Sequence, residues 1–251
     1  MQSNSKRLIS AYEQEQHLQD QIEAYWDERS SDFSRLRLKE LAGPCAAAWS
    51  EFLTEKIAAG SPLRILDIGT GAGFFAILLA RLGHQVTGID MSGDMLHQAK
   101  QNVLAAGCRA EFVKMNAQAL NFADDTFDVV ISRNLTWTLP DVMAAYRDWQ
   151  RVLKPGGRLL NFDSDYGLME FTRKDEQKDV HANIRHELVT ECNEIKDELQ
   201  ISTHRRPQWD AAFLRSLGMQ VEVLEDIASR VRVDENMKFD TLPLFGLIAS
   251  K

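Results

Sequence analysis

Residues 63–90 read LRILDIGTGAGFFAILLARLGHQVTGID, and their pattern decides the fold. A short β-rich apolar run ends at Asp67, glycines follow at 69, 71 and 73, and an apolar helical stretch closes at Gly83 before a second short strand ends at Asp90. Strand, glycine turn, helix and strand in that order make half of a nucleotide-binding α/β unit. Residues without Cβ turn sharply and let a ligand approach the first turn of the following helix, whose backbone N–H groups have no intrahelical acceptor.

The spacing discriminates among ligands. A dinucleotide loop of the form G-x-G-x-x-G would carry its third glycine at position 74, which is Phe74, so the pyrophosphate fingerprint is not met. The pattern is instead Asp67-x-Gly69-x-Gly71-x-Gly73. Asp90, at the end of the second strand, can accept two hydrogen bonds from a ribose diol. Glycines and Asp90 together indicate an adenosine site and leave the ligand open.

Four stretches extend the reading: LDIGTGAGFFAILLA at 66–80, VTGIDMS at 86–92, FADDTFDVVISRN at 122–134 and RVLKPGGRLLNFD at 151–163. In that order and spacing, over 63–163, the chain resembles the class I methyltransferases that use S-adenosylmethionine, in particular the type 11 group. The resemblance implies an α/β fold with a doubly wound, mostly parallel seven-stranded sheet whose last strand is antiparallel, inserted beside the sixth. It also implies S-adenosylmethionine as cofactor, bound by Asp67, Gly69, Thr70, Gly71 and Gly73, by Asp90 and Met91, by Asn116 and Ala117 after the third strand, and by Arg133 after the fourth. Relatives carry an acidic residue where this chain has Asn116; its amide oxygen still accepts a hydrogen bond, without the charge.

Composition bounds the rest. At 251 residues, 44% hydrophobic and 26% charged, the chain suits one soluble α/β domain with an accessory layer. Its longest strongly apolar run, Phe74 to Ala80, is far short of a membrane span. The segment MQSNSKRLIS lacks a secretory core, and Cys45, Cys108 and Cys192 are scattered and odd in number, so a reducing cytoplasm is expected. A formal net charge of −8, with no run of Lys and Arg, argues against nucleic acid and anionic membranes as partners. Oligomeric state is not legible.

Outside the core of 63–163, residues 1–42 are polar and helical in character. In the resembled family such a segment, here carrying Tyr25-Trp26-Asp27, forms a lid over the methionine end of the cofactor and part of the acceptor pocket; plain packing of Tyr25 and Trp26 is the other reading. A helix from Pro44 to about Ala59 buries Cys45, Trp49, Phe52 and Leu53. Ser92 caps a helix from Gly93 to Ala106. The Val-Val-Ile run of 129–131 marks a central strand, at whose C-terminal end ligands bind in such sheets. Asn134 and Trp137 therefore point toward the transferred methyl, with packing as the alternative for Trp137. Lys154-Pro155-Gly156-Gly157 reads as a turn into the fifth strand.

Residues 164–206 form a helical insertion on the substrate side: Asp165 and Tyr166 leave the strand, and a charged helix is expected from about Asp175 to Leu199. His181, His186 and Cys192 fall within it at spacings that put no two on one helix face in the i, i+4 manner, so no metal site is expected. His204-Arg205-Arg206 either meets an anionic substrate or is a loop before Pro207, where the last helix begins. The implied activity is transfer of a methyl group to a small-molecule acceptor, with no catalytic base assigned, since a sulfonium methyl needs chiefly positioning. The alternatives are a binding module that holds the cofactor without transfer and, disfavoured by Phe74, a nicotinamide oxidoreductase.

Overall fold

Every parallel strand here ends at one edge of a single sheet, and that edge positions the site. A computed structural model describes residues 2–57, 62–174, 176, 178–182 and 184–251, with side chains from residue 13 onward. The glycine unit is β1 (Arg64–Ile68), α3 (Phe74–Arg81) and β2 (Gln85–Asp90); it is preceded by α1 (Gln2–Ala42) and α2 (Pro44–Lys56) and followed by α4 (Gly93–Ala105), β3 (Glu111–Lys114) and β4 (Phe127–Arg133). Then come α5 (Val142–Val152), β5 (Leu153–Asp163), α6 (His186–Glu198), α7 (Gln208–Ser216), β6 (Gln220–Leu224), α8 (Ala228–Val231) and β7 (Phe245–Ser250). The strand order is β3-β2-β1-β4-β5-β7-β6, with β7 antiparallel to both neighbours. This is the doubly wound, Rossmann-like methyltransferase sheet that the four motifs imply.

The strands alternate between two buried layers because side chains along a strand point to opposite faces. Leu66, Val130 and Leu159 face a layer built with α5, α6 and α7, while Ile65, Val129, Ile131 and Phe162 face one built with α2 and α3. The second layer centres on Trp49, Phe52, Phe75 and Phe162, in edge-to-face contact at centroid distances of 5.0 to 6.0 Å.

Local signals set most boundaries. Ser92 Oγ accepts the Met95 N–H at 3.0 Å and Asp141 Oδ1 the Ala144 N–H at 2.8 Å, capping α4 and α5. Residues 2–42 form one continuous helix. Among the described residues, no helix is long and apolar enough to cross a membrane.

Three expectations are corrected. The charged helix begins at His186, not near Asp175, which itself lies outside the described residues together with Gln177 and Asn183. Tertiary partners and turns engage the described residues before it: the Asn193 amide bonds both Phe171 N–H and Phe171 C=O, Lys174 bridges Ala182, the Val180 N–H reaches Lys238 O at 3.0 Å, and the Ala182 N–H closes a turn onto Asp179 O at 3.0 Å. Lys154-Pro155-Gly156-Gly157 belongs to β5, which starts at Leu153 with a register shift against β4, and Lys154 pairs with Asp128 at 2.6 Å. The helix after Pro207 is not the last, since α8 follows β6. The expected end of the Pro44 helix at Ala59 lies outside the described residues; α2 ends at Lys56.

Candidate cofactor and acceptor site

The loop after β1 is shaped by its neighbours as much as by its glycines. Gly69 has φ +66° and a Cβ there would stand 2.8 Å from a methyl of Leu135; Gly71 has φ +51° and a Cβ would stand 3.1 Å from the Phe33 ring. L-residues disfavour such backbone angles, so these two positions require glycine on conformational and spatial grounds alike. Gly73, by contrast, lies against Ala99, where α3 passes α4. Asp90 spans the turn: one carboxylate oxygen accepts the Gly71 N–H at 2.9 Å and the other the Ser92 N–H at 3.0 Å. Burial pushes its carboxyl up to about 6 against the opposing effect of these N–H groups. Asp67 accepts the Thr70 hydroxyl at 2.6 Å, and burial pushes it to about 7.

Two cavities flank this loop. The outer one brings Gly69, Gly71, Asp90, Met91, Asn116 and Ala117 to one surface, together with Ile89 and Met115. Asn116 Oδ1 already accepts the Gln118 N–H at 2.9 Å, leaving its second lone pair, while its amide nitrogen donates to Gln19 of α1 at 3.2 Å. The inner cavity is lined by Tyr25, Trp137 and Tyr166 with residues of the 169–184 stretch and the segment after α8. Trp26, Phe33, Arg133 and Asn134 line both. Of the residues singled out in the sequence, Asp67, Thr70 and Gly73 line neither; the first two border a small crevice beside Arg37, Arg133 and Asn134.

Asn134 sits at the junction with φ +55°, its N–H donating to Phe162 O at 2.8 Å and its Oδ1 buried without a partner among the described residues. A left-handed backbone at a residue other than glycine marks a conformation held by its surroundings. Trp137 both packs and lines: it is 7% exposed, its ring lies 4.8 Å from that of Tyr166, and its indole N–H is used by Asn134 O at 3.1 Å. On the inner wall His181 Nε2 meets Asp240 Oδ2 at 2.9 Å, and His181 helps hold the Asp240 carboxyl below its usual range. Among the described residues no three His, Cys, Asp or Glu side chains gather as a metal cluster.

Sequence reasoning missed the groups that hold these walls. Asp27 of α1 accepts the Ser92 hydroxyl at 2.5 Å, tying α1 across the outer cavity to the start of α4. Glu40, fully buried, pairs with Arg37 at 2.6 Å and Arg133 at 2.8 Å, and the Arg133 guanidinium lies 4.9 Å from the Trp49 ring. Beneath Trp137, Asp163 accepts its N–H at 3.0 Å and the Thr136 hydroxyl at 2.6 Å, and Arg206 pairs with Asp163 at 3.2 Å and Asp210 at 2.8 Å. Arg206 is therefore a buried structural cation and not the meeting point for an anionic substrate, while His204 stacks on Trp209 at 4.6 Å. The sequence signal for this network is Arg206 before Pro207, for which substrate contact and a plain loop are the two readings.

A doubly wound sheet with a glycine loop, a carboxylate ending β2 and a cavity at the strand ends defines the class I methyltransferase architecture. Residues 66–161 match the family described as "Methyltransferase domain". Residues 66–161 thus carry a methyltransferase domain of the type 11 group, in agreement with the resemblance that the four motifs carry. It is 30% identical over 182 residues to methyltransferase phqN of Penicillium fellutanum, covering 71% of this chain and 52% of that one. With the malonyl-[acyl-carrier protein] O-methyltransferase of Erwinia pyrifoliae it shares 38% identity over 110 residues, 44% of this chain and 40% of the other. The chain thus spans about half or less of the length of these relatives. A solved S-adenosylmethionine-dependent methyltransferase from Aquifex aeolicus superimposes with TM-score 0.57 at 19% identity, covering 87% of this chain and 97% of that one, which speaks to the fold alone.

Proposed function

We propose that this protein transfers a methyl group from S-adenosylmethionine, held in the outer cavity, to a small-molecule acceptor held in the inner one. The observation that carries the reading is the shared wall: Trp26, Phe33, Arg133 and Asn134 border both cavities, so a group crossing between them passes these four residues. The residues of the outer cavity fit the cofactor. Asp90 presents a carboxylate for a ribose diol, Ile89, Met91 and Met115 offer apolar faces for a purine, and Asn116 with Ala117 supplies polar atoms at its edge. The crevice of Asp67, Arg37 and Arg133 places both charge signs where an amino-acid end needs them, and the unpartnered Asn134 Oδ1 adds an acceptor.

When bound, the cofactor supplies a methyl already activated on a sulfonium, so positioning contributes most of what the protein must add. Helix α1 covers the outer cavity through Gln19, Ile22 and Trp26, and we assign it the role of lid, with the 164–206 insertion forming the acceptor side. For a hydroxyl acceptor, His181 is the imidazole on the inner wall that can take the proton, oriented by Asp240. A module that binds cofactor without transfer needs no second cavity, and the inner one weighs against it.

The test is calorimetric titration with S-adenosylhomocysteine, with NAD as comparison ligand, followed by mass-spectrometric detection of methylated products from a metabolite extract. Binding of S-adenosylhomocysteine alone, with a product that disappears in a Trp137→Ala variant, is the expected result. Binding of NAD instead, or of neither, would refute the reading.

A further inference from the structure

The chain as a whole carries a formal charge of −8, yet its inner cavity is lined by Arg29, Arg37, Arg133, Arg232 and Lys174, against one carboxylate, Asp240, among the described lining residues. Arg37 and Arg133 share Glu40 behind the wall. Asp240 hydrogen-bonds His181 through its side chain and accepts from Arg232 through its backbone carbonyl at 3.1 Å, its carboxylate acting on Arg232 from beyond ion-pair distance. Arg29, 6% exposed, donates to the Tyr25 hydroxyl at 2.8 Å, and neither Arg29 nor Arg232 has a carboxylate at ion-pair distance among the described residues.

A second observation points the same way. Nine buried side-chain polar atoms lack a hydrogen-bond partner among the described residues, and five of them belong to this wall: Nε of each of the four arginines and Oδ1 of Asn134. Buried donors without acceptors are costly, and on Arg29 and Arg232 the charge has no ion pair either, a combination that an anion in this cavity would offset. Burial pulls the Arg37 guanidinium down to about 10, with Arg133 adding to the effect against Glu40, and burial likewise lowers Arg232. The same cavity carries an aromatic group: the Tyr166 and Phe171 rings stack at 5.6 Å, and Trp137 lies 5.5 Å from Phe171.

We propose that the methyl acceptor is an oxyanion with a planar apolar body, its carboxylate or phosphate held by the forks of Arg29 and Arg232 and its body laid against Trp137, Tyr166 and Phe171. Guanidinium forks match either oxyanion bidentately, which fixes the acceptor's direction as well as its charge. This rests on the inner cavity being the acceptor site, and the two ideas fail differently in the following experiment.

With S-adenosylhomocysteine saturating, the protein's melting temperature is measured against a size-graded panel of aromatic carboxylates, each paired with its primary amide and its aryl phosphate counterpart. At least one acid or phosphate is expected to stabilise while its amide does not, and calorimetry should give it about tenfold tighter binding than the amide. Preference between the two oxyanion arms identifies the headgroup. Arg29→Gln and Arg232→Gln should each remove about tenfold of that affinity, and Arg29→Lys should restore part of it, while S-adenosylhomocysteine affinity stays the same because neither arginine lines the outer cavity. If either glutamine variant misfolds, the paired-ligand comparison on the unaltered protein decides alone. Equal response to acid and amide, or no response to any oxyanion, overturns the anionic acceptor; loss of S-adenosylhomocysteine binding in the unaltered protein would instead overturn the cofactor reading.

Discussion

Replacing Asp90 by Asn tests the cofactor reading most sharply, because the structure dictates both the size and the pH dependence of the effect. Both carboxylate oxygens already accept backbone N–H groups, from Gly71 and Ser92, so an amide NH2 there must confront one of two donors. The variant loses the charged acceptor for the ribose diol as well, and S-adenosylhomocysteine should bind about 1.5–3 kcal/mol more weakly, roughly 12- to 160-fold. In the unliganded protein burial raises the Asp90 carboxyl from 3.8 to about 6. Diol hydroxyls favour the ionised form, so affinity in the unaltered protein should fall about tenfold from pH 7 to pH 5, with a proton released on binding in that range. The variant should lose this step.

The sign for stability is opposite. A raised carboxyl stabilises the folded state below its unfolded value near 3.8, and that contribution, up to about 3 kcal/mol for Asp90, is lost as pH rises through about 6. The unliganded Asn variant should therefore be less disadvantaged at pH 8 than at pH 5. Titration calorimetry at pH 5 to 8, in two buffers of different ionisation enthalpy, reads both affinity and protons. Asp67, raised to about 7, is the control: an Asp67→Asn variant should keep the step near 6. An Asp90→Asn protein that binds within twofold of the unaltered one, or keeps the tenfold fall, would refute the ribose assignment.

Three further outcomes follow from the geometry. Arg206→Met leaves Asp163 and Asp210 buried without a counter-ion and should cost about 3–5 kcal/mol, roughly 6–20 °C in melting temperature; urea denaturation showing under 1 kcal/mol would remove the network's structural role. Asp27→Ala removes the acceptor of the Ser92 hydroxyl and should cost about 1 kcal/mol; hydrogen exchange of residues 19–26 should quicken, and unchanged exchange would mean that α1 is held otherwise. Gly69→Ala and Gly107→Ala carry the same backbone strain, about 1–2 kcal/mol, but only Gly69 meets Leu135, so only the former should weaken S-adenosylhomocysteine binding in calorimetry.

The parts of the fold legible in the sequence are those governed by neighbours along the chain. Alternating and continuous apolar runs specified β1, β2, β4 and β5, Ser92 announced α4, and the glycine spacing with Asp90 announced an adenosine site, because strand period, cap and turn chemistry act over a few residues. The order of β6 and β7 followed from resemblance, not from any local signal.

Tertiary structure decided what lies between distant segments. The apolar spacing of 180–199 suits a long helix, but the Val180 N–H bonds Lys238 O and His181 meets Asp240, partners 58 and 59 residues away that no local sequence window contains. Arg206 looked available to a substrate until Asp163 and Asp210, 43 and 4 residues away, enclosed it. The cationic inner cavity is likewise invisible in a chain of net charge −8: Arg29 and Arg37 come from α1, Arg133 from β4 and Arg232 from beyond α8. Local propensity writes the elements and the glycine loop; the cavity proposed for the acceptor exists only where the folded chain brings four arginines from three segments around one space.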